Sequence, residues 1–285
     1  MFTIKQAAQL TGVSEHTLRA WERRYDVIST ARTPSGYRLY DDAAVARIRE
    51  MRALVDEGIP PRDASVEVAS RHPVSRDTPA APPDFGDLID ALAALDAGRV
   101  KRIVDQQFAV RSYESVVDDW LMPMLIEVGR AWARKRISVA GEHLVANIVL
   151  RRLSAAFEAA GPNPARSPVI VGGPKGISHE LGLLAFAVAL RRTGTSTVYL
   201  GGDVPVDAWV DAVRTTAAVG SVTSVPRRAD APRVVALAER LHAYDPAARV
   251  LVGGSFQHLA THGCIPLGHN VTLAARTVAD IVAGS

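Results

Sequence analysis

Apolar residues recur at helical spacing through most of the first 160 positions of this chain, then give way to short apolar runs alternating with helical stretches. Thr3-Ile-Lys-Gln-Ala-Ala-Gln-Leu10 predicts a short helix with Ile4, Ala7, Ala8 and Leu10 turned inward. Gly12-Val13 is the turn after it, and Ser14 is a good N-cap for a second helix running to about Arg24. Thr30 to Tyr40 reads as two strands turning at Pro34-Ser35-Gly36. Asp41-Asp42 opens a helix through about Glu57, with Val45, Ile48, Met51, Leu54 and Val55 at helical spacing. Gly58-Ile-Pro-Pro61 breaks it, and a short helix follows from about Arg62 to Ser70.

The segment 71–83 carries prolines at 73, 79, 82 and 83, which favour extended chain and mark a linker. From 84 to 161 the pattern is helical again: Asp87–Leu95, Asp96 to about Val110, a helix capped by Ser112 that Pro123 interrupts or restarts, and Met124–Arg134. Ser138 then caps a last helix to about Ala160. Short connections between these helices suggest a small antiparallel bundle. Beyond Gly161 the period changes. Runs at 169–171, 196–200, 217–222 and 249–252 read as strands, and 180–192, 202–216, 233–244 and 272–282 as helices or the loops leading into them. Such alternation argues a parallel sheet with helices on both faces.

Composition refines this picture only slightly. With 285 residues, 48% of them hydrophobic and 22% charged, the chain is long enough for two or three domains and lacks the signature of disorder. The formal net charge of +3 gives little bulk attraction for nucleic acid, so any such role must come from local clustering. One cysteine, Cys264, excludes an internal disulfide framework and a multi-cysteine metal site. The first residues lack an apolar core after a basic cluster, and no apolar run reaches the roughly 20 residues a bilayer needs. A cytoplasmic location is the expectation.

Candidate chemistry falls in two places. The turn at Gly12-Val13 gives helix-turn-helix spacing, which would send the second helix into the major groove with Glu15, His16, Thr17, Arg19 and Arg23 outward. Further on, Gly172-Gly-Pro-Lys-Gly-Ile-Ser-His179-Glu-Leu-Gly182 joins the first strand of the α/β region to its helix. In an open parallel sheet that is a ligand-binding end, and His179 can offer a ring nitrogen to a metal. Gly201-Gly202 and Gly253-Gly254 close later strands, and Ser221 and Thr223 supply hydroxyls nearby. No Gly-x-Gly-x-x-Gly follows the first strand, which disfavours a nicotinamide cofactor.

Thr17-Leu-Arg-Ala-Trp-Glu-Arg-Arg-Tyr25 with Gly36-Tyr-Arg-Leu-Tyr40 closely resembles the MerR-type winged helix. That resemblance implies phosphate contacts from Arg19, Tyr37 and Arg38, and base-edge contacts from His16, Thr17 and Arg23, while Leu18 and Trp21 pack the helix. The loop ending in His179-Glu-Leu-Gly182, followed by Ser221-Val-Thr223 and Gly253-Gly254, is similar to the cobalamin-binding motif. It implies His179 as lower axial ligand of cobalt. Trp132, followed after nine residues by Glu142-His143, resembles the helical cap over cobalamin in light-sensing regulators, where the tryptophan and glutamate line the upper face. Together these resemble the CarH-type adenosylcobalamin photoreceptor repressors. The expected chain is multidomain: an all-α winged helix-turn-helix at 1–70, a linker at 71–83, a helical bundle at 84–161 and an α/β Rossmann-like cobalamin domain at 165–285.

The implied function is a non-enzymatic transcriptional regulator, a repressor, binding double-stranded operator DNA as a homodimer or homotetramer in response to adenosylcobalamin and light. Two positions depart from the family pattern. Ile177 stands where the motif has an acidic residue, leaving Ser178 or Glu180 as polar neighbours of His179. Ala133 stands where light-sensing members carry a second histidine, leaving His143 as the candidate for that role. These departures keep open a sensor answering another tetrapyrrole or a protein partner. A cobalamin-dependent enzyme subunit is the remaining alternative, disfavoured because no stretch is left for a substrate domain.

Overall fold

The computed structural model of the chain describes residues 2–25, 31–32, 38–40, 42–71, 83–161, 163 and 167–283. It divides into two compact units, residues 1–81 and 82–285.

In the first unit, β1 (Phe2–Thr3) leads into α1 (Ile4–Thr11) and α2 (Glu15–Arg24). Thr3 and Gln6 form a reciprocal capping box, and Gly12 ends α1 in the left-handed conformation that glycine adopts at little cost. Ser14 Oγ accepts from the Thr17 amide at 3.1 Å, the N-cap expected from the sequence. β2 (Ala31–Arg32) and β3 (Arg38–Tyr40) pair antiparallel, and β1 adds to the other edge of β3 with Phe2 opposite Tyr40. That third strand is absent from the sequence reading, since two residues carry no periodicity. The turn at Pro34-Ser35-Gly36 and Tyr37 lie outside the described residues. α3 (Asp42–Asp56) and α4 (Pro61–Arg71) complete a core in which Leu18, Trp21, Tyr40, Ile48 and Met51 are buried.

The second unit starts with four helical spans. α5 (Gly86–Ala93) and α6 (Ala97–Val110) pack against the long α9 (Val139–Ala159). A Cβ on Gly141 would lie 2.8 Å from the Leu92 carbonyl, so α9 can approach α5 only with glycine there. Between them α7 (Tyr113–Ser115) runs through a π-turn (Val116–Leu121) into α8 (Met122–Ala133). Pro123 therefore does not break the helix: it sits in the first turn of α8, where a missing N–H costs little. Trp120 is the buried tryptophan of this module, whereas Trp132 is half exposed.

The α/β part has β4 (Val169–Pro174), α10 (Leu181–Arg192), β5 (Thr197–Val204), α11 (Val206–Thr216), β6 (Gly220–Ser224) and α12 (Ala231–Tyr244). β7 (Val250–Gly253), β8 (Ile265–Pro266) and α13 (Val271–Ala283) follow. The parallel sheet has the order β5-β4-β6-β7-β8, so its direction of winding reverses between β4 and β6. Val169, Val171, Val222 and Leu251 face the core shared with α10, α13 and the helical module. Ile170, Val250 and Val252 face the other core, with Trp209 of α11 and Leu237 of α12. The alternation along each strand assigns every side chain to one face.

Candidate functional site

At the reversal point, the loop from β4 to α10 folds back over the strand ends. The amide of Ile177 donates to the Pro174 carbonyl at 2.9 Å, and the Ile177 carbonyl accepts from the Asp203 amide at 3.0 Å. Asp203 Oδ1 in turn accepts from the Gly176 amide at 2.6 Å. A Cβ on Gly202 would lie 2.9 Å from the Ile177 carbonyl oxygen, so this approach requires glycine at the end of β5. Ile177 itself is fully buried in the core with Trp209. The residue at the acidic position of the motif thus anchors the loop by apolar burial and offers nothing to the imidazole.

His179 is exposed, one residue before Glu180 and the start of α10, and no hydrogen bond or ion pair among the described residues engages its ring. Glu180 is no partner for it either. Its Oε2 accepts from the Tyr199 hydroxyl at 3.1 Å and from the Gly202 amide at 3.2 Å. Burial, the charge of Glu180 and this hydrogen bond all push the Tyr199 phenol upward, so it stays protonated and serves as the donor. Ser178 is exposed.

The two hydroxyls expected in the row of strand ends, Ser221 and Thr223, are both buried. β6 begins at Gly220 and runs to Ser224, later than the 217–222 expected, because Ala217 ends α11 in the left-handed conformation and the chain needs two more residues to enter the sheet. Ser221 pairs in register with Ile170 and Val250, and Thr223 with Val252, so both point toward α11 and α12. Ser221 Oγ already accepts from the buried Trp209 indole N–H at 3.2 Å, and Thr223 Oγ1 is buried with no hydrogen-bond partner among the described residues. Ser224, one position on, shares the face of Val222 and thus of α10 and α13, and is paired in register with Gly253. A Cβ on Gly253 would meet no atom within 4 Å, which leaves open space at the strand end on that face. Gly254 is held differently: its φ is +88°, and a Cβ there would lie 2.7 Å from the Val225 carbonyl oxygen. The sequence reading did not single out Ser224; the register of β6 against β4 and β7 sets its face.

On the helical module, Trp132 stands near the end of α8 and Glu142 and His143 in the first turns of α9. All three are exposed or half exposed, and His143 Nδ1 lies 3.9 Å from Glu142 Oε2. Trp132 is thus no core residue. Gly182, in the first turn of α10, approaches the same module: a Cβ there would lie 3.9 Å from Met122 Cε.

In the first unit, His16 and Arg19 are exposed on α2, with Arg19 Nη2 3.3 Å from Glu15 Oε2. Thr17 is half buried and its hydroxyl lies 2.8 Å from Ser14 Oγ, so it supports the cap as well as facing outward. Arg23 belongs to α2 and Arg38 to β3, but their side chains lie outside the described residues, as does all of Tyr37.

A helix-turn-helix with a small antiparallel sheet, followed by a helical module on a parallel sheet with a histidine loop at its reversal point, defines a DNA-binding protein with a sensor domain of the corrinoid-binding kind. Residues 2–69 match the MerR HTH family regulatory protein model, and residues 85–156 the B12 binding domain model. The chain is 35% identical over 217 residues to the HTH-type transcriptional repressor CarH of Myxococcus xanthus, covering 72% of each chain. It is 32% identical over 260 residues to the repressor CarA of the same organism, covering 90% of this chain and 88% of that one. The fold resembles the monomethylamine corrinoid protein of Methanosarcina barkeri, with a TM-score of 0.57 at 16% identity over 69% of this chain and 97% of the other. The chain belongs to the MerR-type family of the transcriptional repressors CarH and CarA. It is a DNA-binding transcriptional regulator that carries a B12 binding domain. Among the described residues no helix is long and apolar enough to cross a membrane.

Proposed function

We propose that this protein is a repressor that holds operator DNA as a homo-oligomer in darkness with adenosylcobalamin bound, and releases it in light. The observation that carries this reading is the unengaged, exposed imidazole of His179 at the sheet's reversal point, in a chain whose relatives are transcriptional repressors. His179 would hold the cobalt, while Ser224, Gly253 and Gly254 would border the ligand at the strand ends. The free space at Gly253 and the free imidazole both suit a corrinoid. Trp132 would give a flat apolar wall above and Glu142 an acceptor for adenosyl hydroxyls or amine. The adenosyl form of the cofactor supplies a light-labile cobalt–carbon bond. A ligand of this kind switches the regulator only through different affinities for two assemblies.

The experiment is the absorbance of the protein mixed with adenosylcobalamin in darkness and after green light, with operator binding followed on the same samples. A retained, light-shifted corrinoid spectrum that His179→Ala abolishes, together with loss of DNA binding on illumination, is expected. A second reading, a sensor for another tetrapyrrole or a protein partner, is favoured by the burial of Ile177 and the engagement of Glu180, which leave His179 without a hydrogen-bonded carboxylate. Failure to retain any corrinoid would support it. We read the chain as a regulator without catalytic activity, on the strength of its repressor relatives. Turnover of a methyl or acyl-CoA substrate would overturn that.

A further inference from the structure

The segment from Tyr113 to Met122 lies along α10 and reaches the start of α13. The Tyr113 hydroxyl donates to the Ala185 carbonyl at 2.8 Å. Arg192 donates to both carboxylate oxygens of Glu114, at 2.9 and 3.4 Å. Met122 reaches the first turn of α10 at Gly182. The same segment therefore touches the beginning, middle and end of the helix that follows His179.

Its second contact is a helix cap supplied from another module. Asp118 Oδ1 accepts from the Val271 amide at 2.8 Å, and Oδ2 accepts from the Thr272 amide at 3.3 Å and from the Thr272 hydroxyl. Asn270 Oδ1 accepts from the Leu273 amide at 2.7 Å. The first three amides of α13, which no intrahelical carbonyl can satisfy, all have acceptors, and two of them use a carboxylate 153 and 154 positions away. The carboxylate also complements the positive end of the helix.

The π-turn makes this possible. Met122 N–H donates to the Val117 carbonyl, five residues back, and Val116, Val117, Trp120 and Leu121 are buried. Burial of Val116 and Val117 before it, and of Trp120 and Leu121 beyond the exposed Asp119, fixes where Asp118 stands. The adjacent Asp119 is taken by the Ser115 hydroxyl at 2.8 Å, so the two carboxylates do not compete for α13.

α10 and α13 pack together on the sheet face that carries Ser224 and Gly253. We propose that Asp118 is a positioning residue of the ligand site: from the π-turn of the helical module it fixes the N-terminus of α13 against α10 and so sets the space beside Ser224 and Gly253. The proposal rests on the corrinoid reading for its ligand, and on the hydrogen bonds alone for its structural half. It also ties any shift of the helical module directly to the wall of the site.

The test uses the full-length protein as wild type, Asp118→Ala and Asp118→Asn, with two readouts. Amide hydrogen exchange without ligand reports the cap, and titration with hydroxocobalamin reports the site. Asp118→Ala should speed exchange at Val271 and Thr272 roughly tenfold, the ordinary worth of a lost cap, and weaken hydroxocobalamin binding by a similar factor. Exchange within residues 1–81 should not change. Asp118→Asn keeps one carbonyl acceptor and should fall between, and it carries the test should the alanine variant not fold. Unchanged exchange at α13 in both variants would overturn the cap. Faster exchange with unchanged hydroxocobalamin affinity would overturn the positioning role alone. No uptake by the wild type would sink the corrinoid reading and the positioning role with it, while the exchange data would still decide the cap.

Discussion

Ser221 and Ser224 illustrate how much depends on which face of a strand a side chain occupies. Ser221 Oγ holds the indole N–H of a fully buried Trp209, so Ser221→Ala strands a buried donor. That should cost about 1–3 kcal/mol in chemical denaturation. Corrinoid uptake should survive, because the hydroxyl faces α11 and α12. Gly253→Leu should do the reverse. It places a side chain in the open space beside Ser224, with little loss of stability and a strong loss of corrinoid binding in a spectrophotometric titration. If Ser221→Ala abolished uptake while Gly253→Leu did not, the ligand would sit on the opposite face of the sheet.

Between elements, the contacts of the helical module with α10 and α13 are charged, and their acid behaviour is opposed. Burial, helped by the neighbouring Asp119, raises the Asp118 carboxyl above its ordinary range against the pull of Thr272 and the α13 amides. The folded chain then holds this proton more tightly than the unfolded chain, so Asp118 adds stability as pH falls through its raised value. For Glu114, burial pushes upward, but the hydrogen bond and charge of Arg192, with Arg276 beyond, leave it below its ordinary range. Its contribution is present above the unfolded value and is lost as pH falls through the depressed one. Denaturant unfolding from about pH 7 to about pH 4 should therefore decline more steeply in Asp118→Asn than in wild type, and less steeply in Glu114→Gln. Parallel curves for all three proteins would show that neither group is perturbed by these contacts.

For the whole chain, operator binding should be governed by salt. Each phosphate neutralised contributes a slope of about one in a plot of log affinity against log salt. Arg19→Ala should lower that slope by about one, measured by fluorescence anisotropy, with similar loss on all sequences. His16→Ala should instead weaken the cognate operator selectively, by about 1–3 kcal/mol, if it meets a base edge. The proposed dark oligomer should dissociate on illumination in sedimentation, and His179→Ala, which cannot retain the corrinoid, should behave in darkness as the illuminated wild type does, without the oligomer and with weakened operator binding. An oligomer that ignores light in the wild type would separate this chain from the proposed switch.

Much of this protein was legible in its residues. Ser14 as a cap, the alternation of strand and helix, and the placement of His179 in the loop between the first strand of the parallel sheet and its helix are local properties, set by backbone propensities and periodicity. Tertiary structure decided what depends on register and on distant partners. The register that pairs Ser221 with Ile170 and Ser224 with Gly253 turns Ser221 and Thr223 away from α10 and Ser224 toward it, since a shift of one residue would exchange the faces. Burial separated Trp120, in the core, from Trp132, half exposed, although both lie at helical positions rich in apolar neighbours. The π-turn leaves no mark in the sequence, and the cap that Asp118 places on α13 joins residues more than 150 positions apart. Periodicity reports which side of an element is apolar; only the packed chain determines what that side meets.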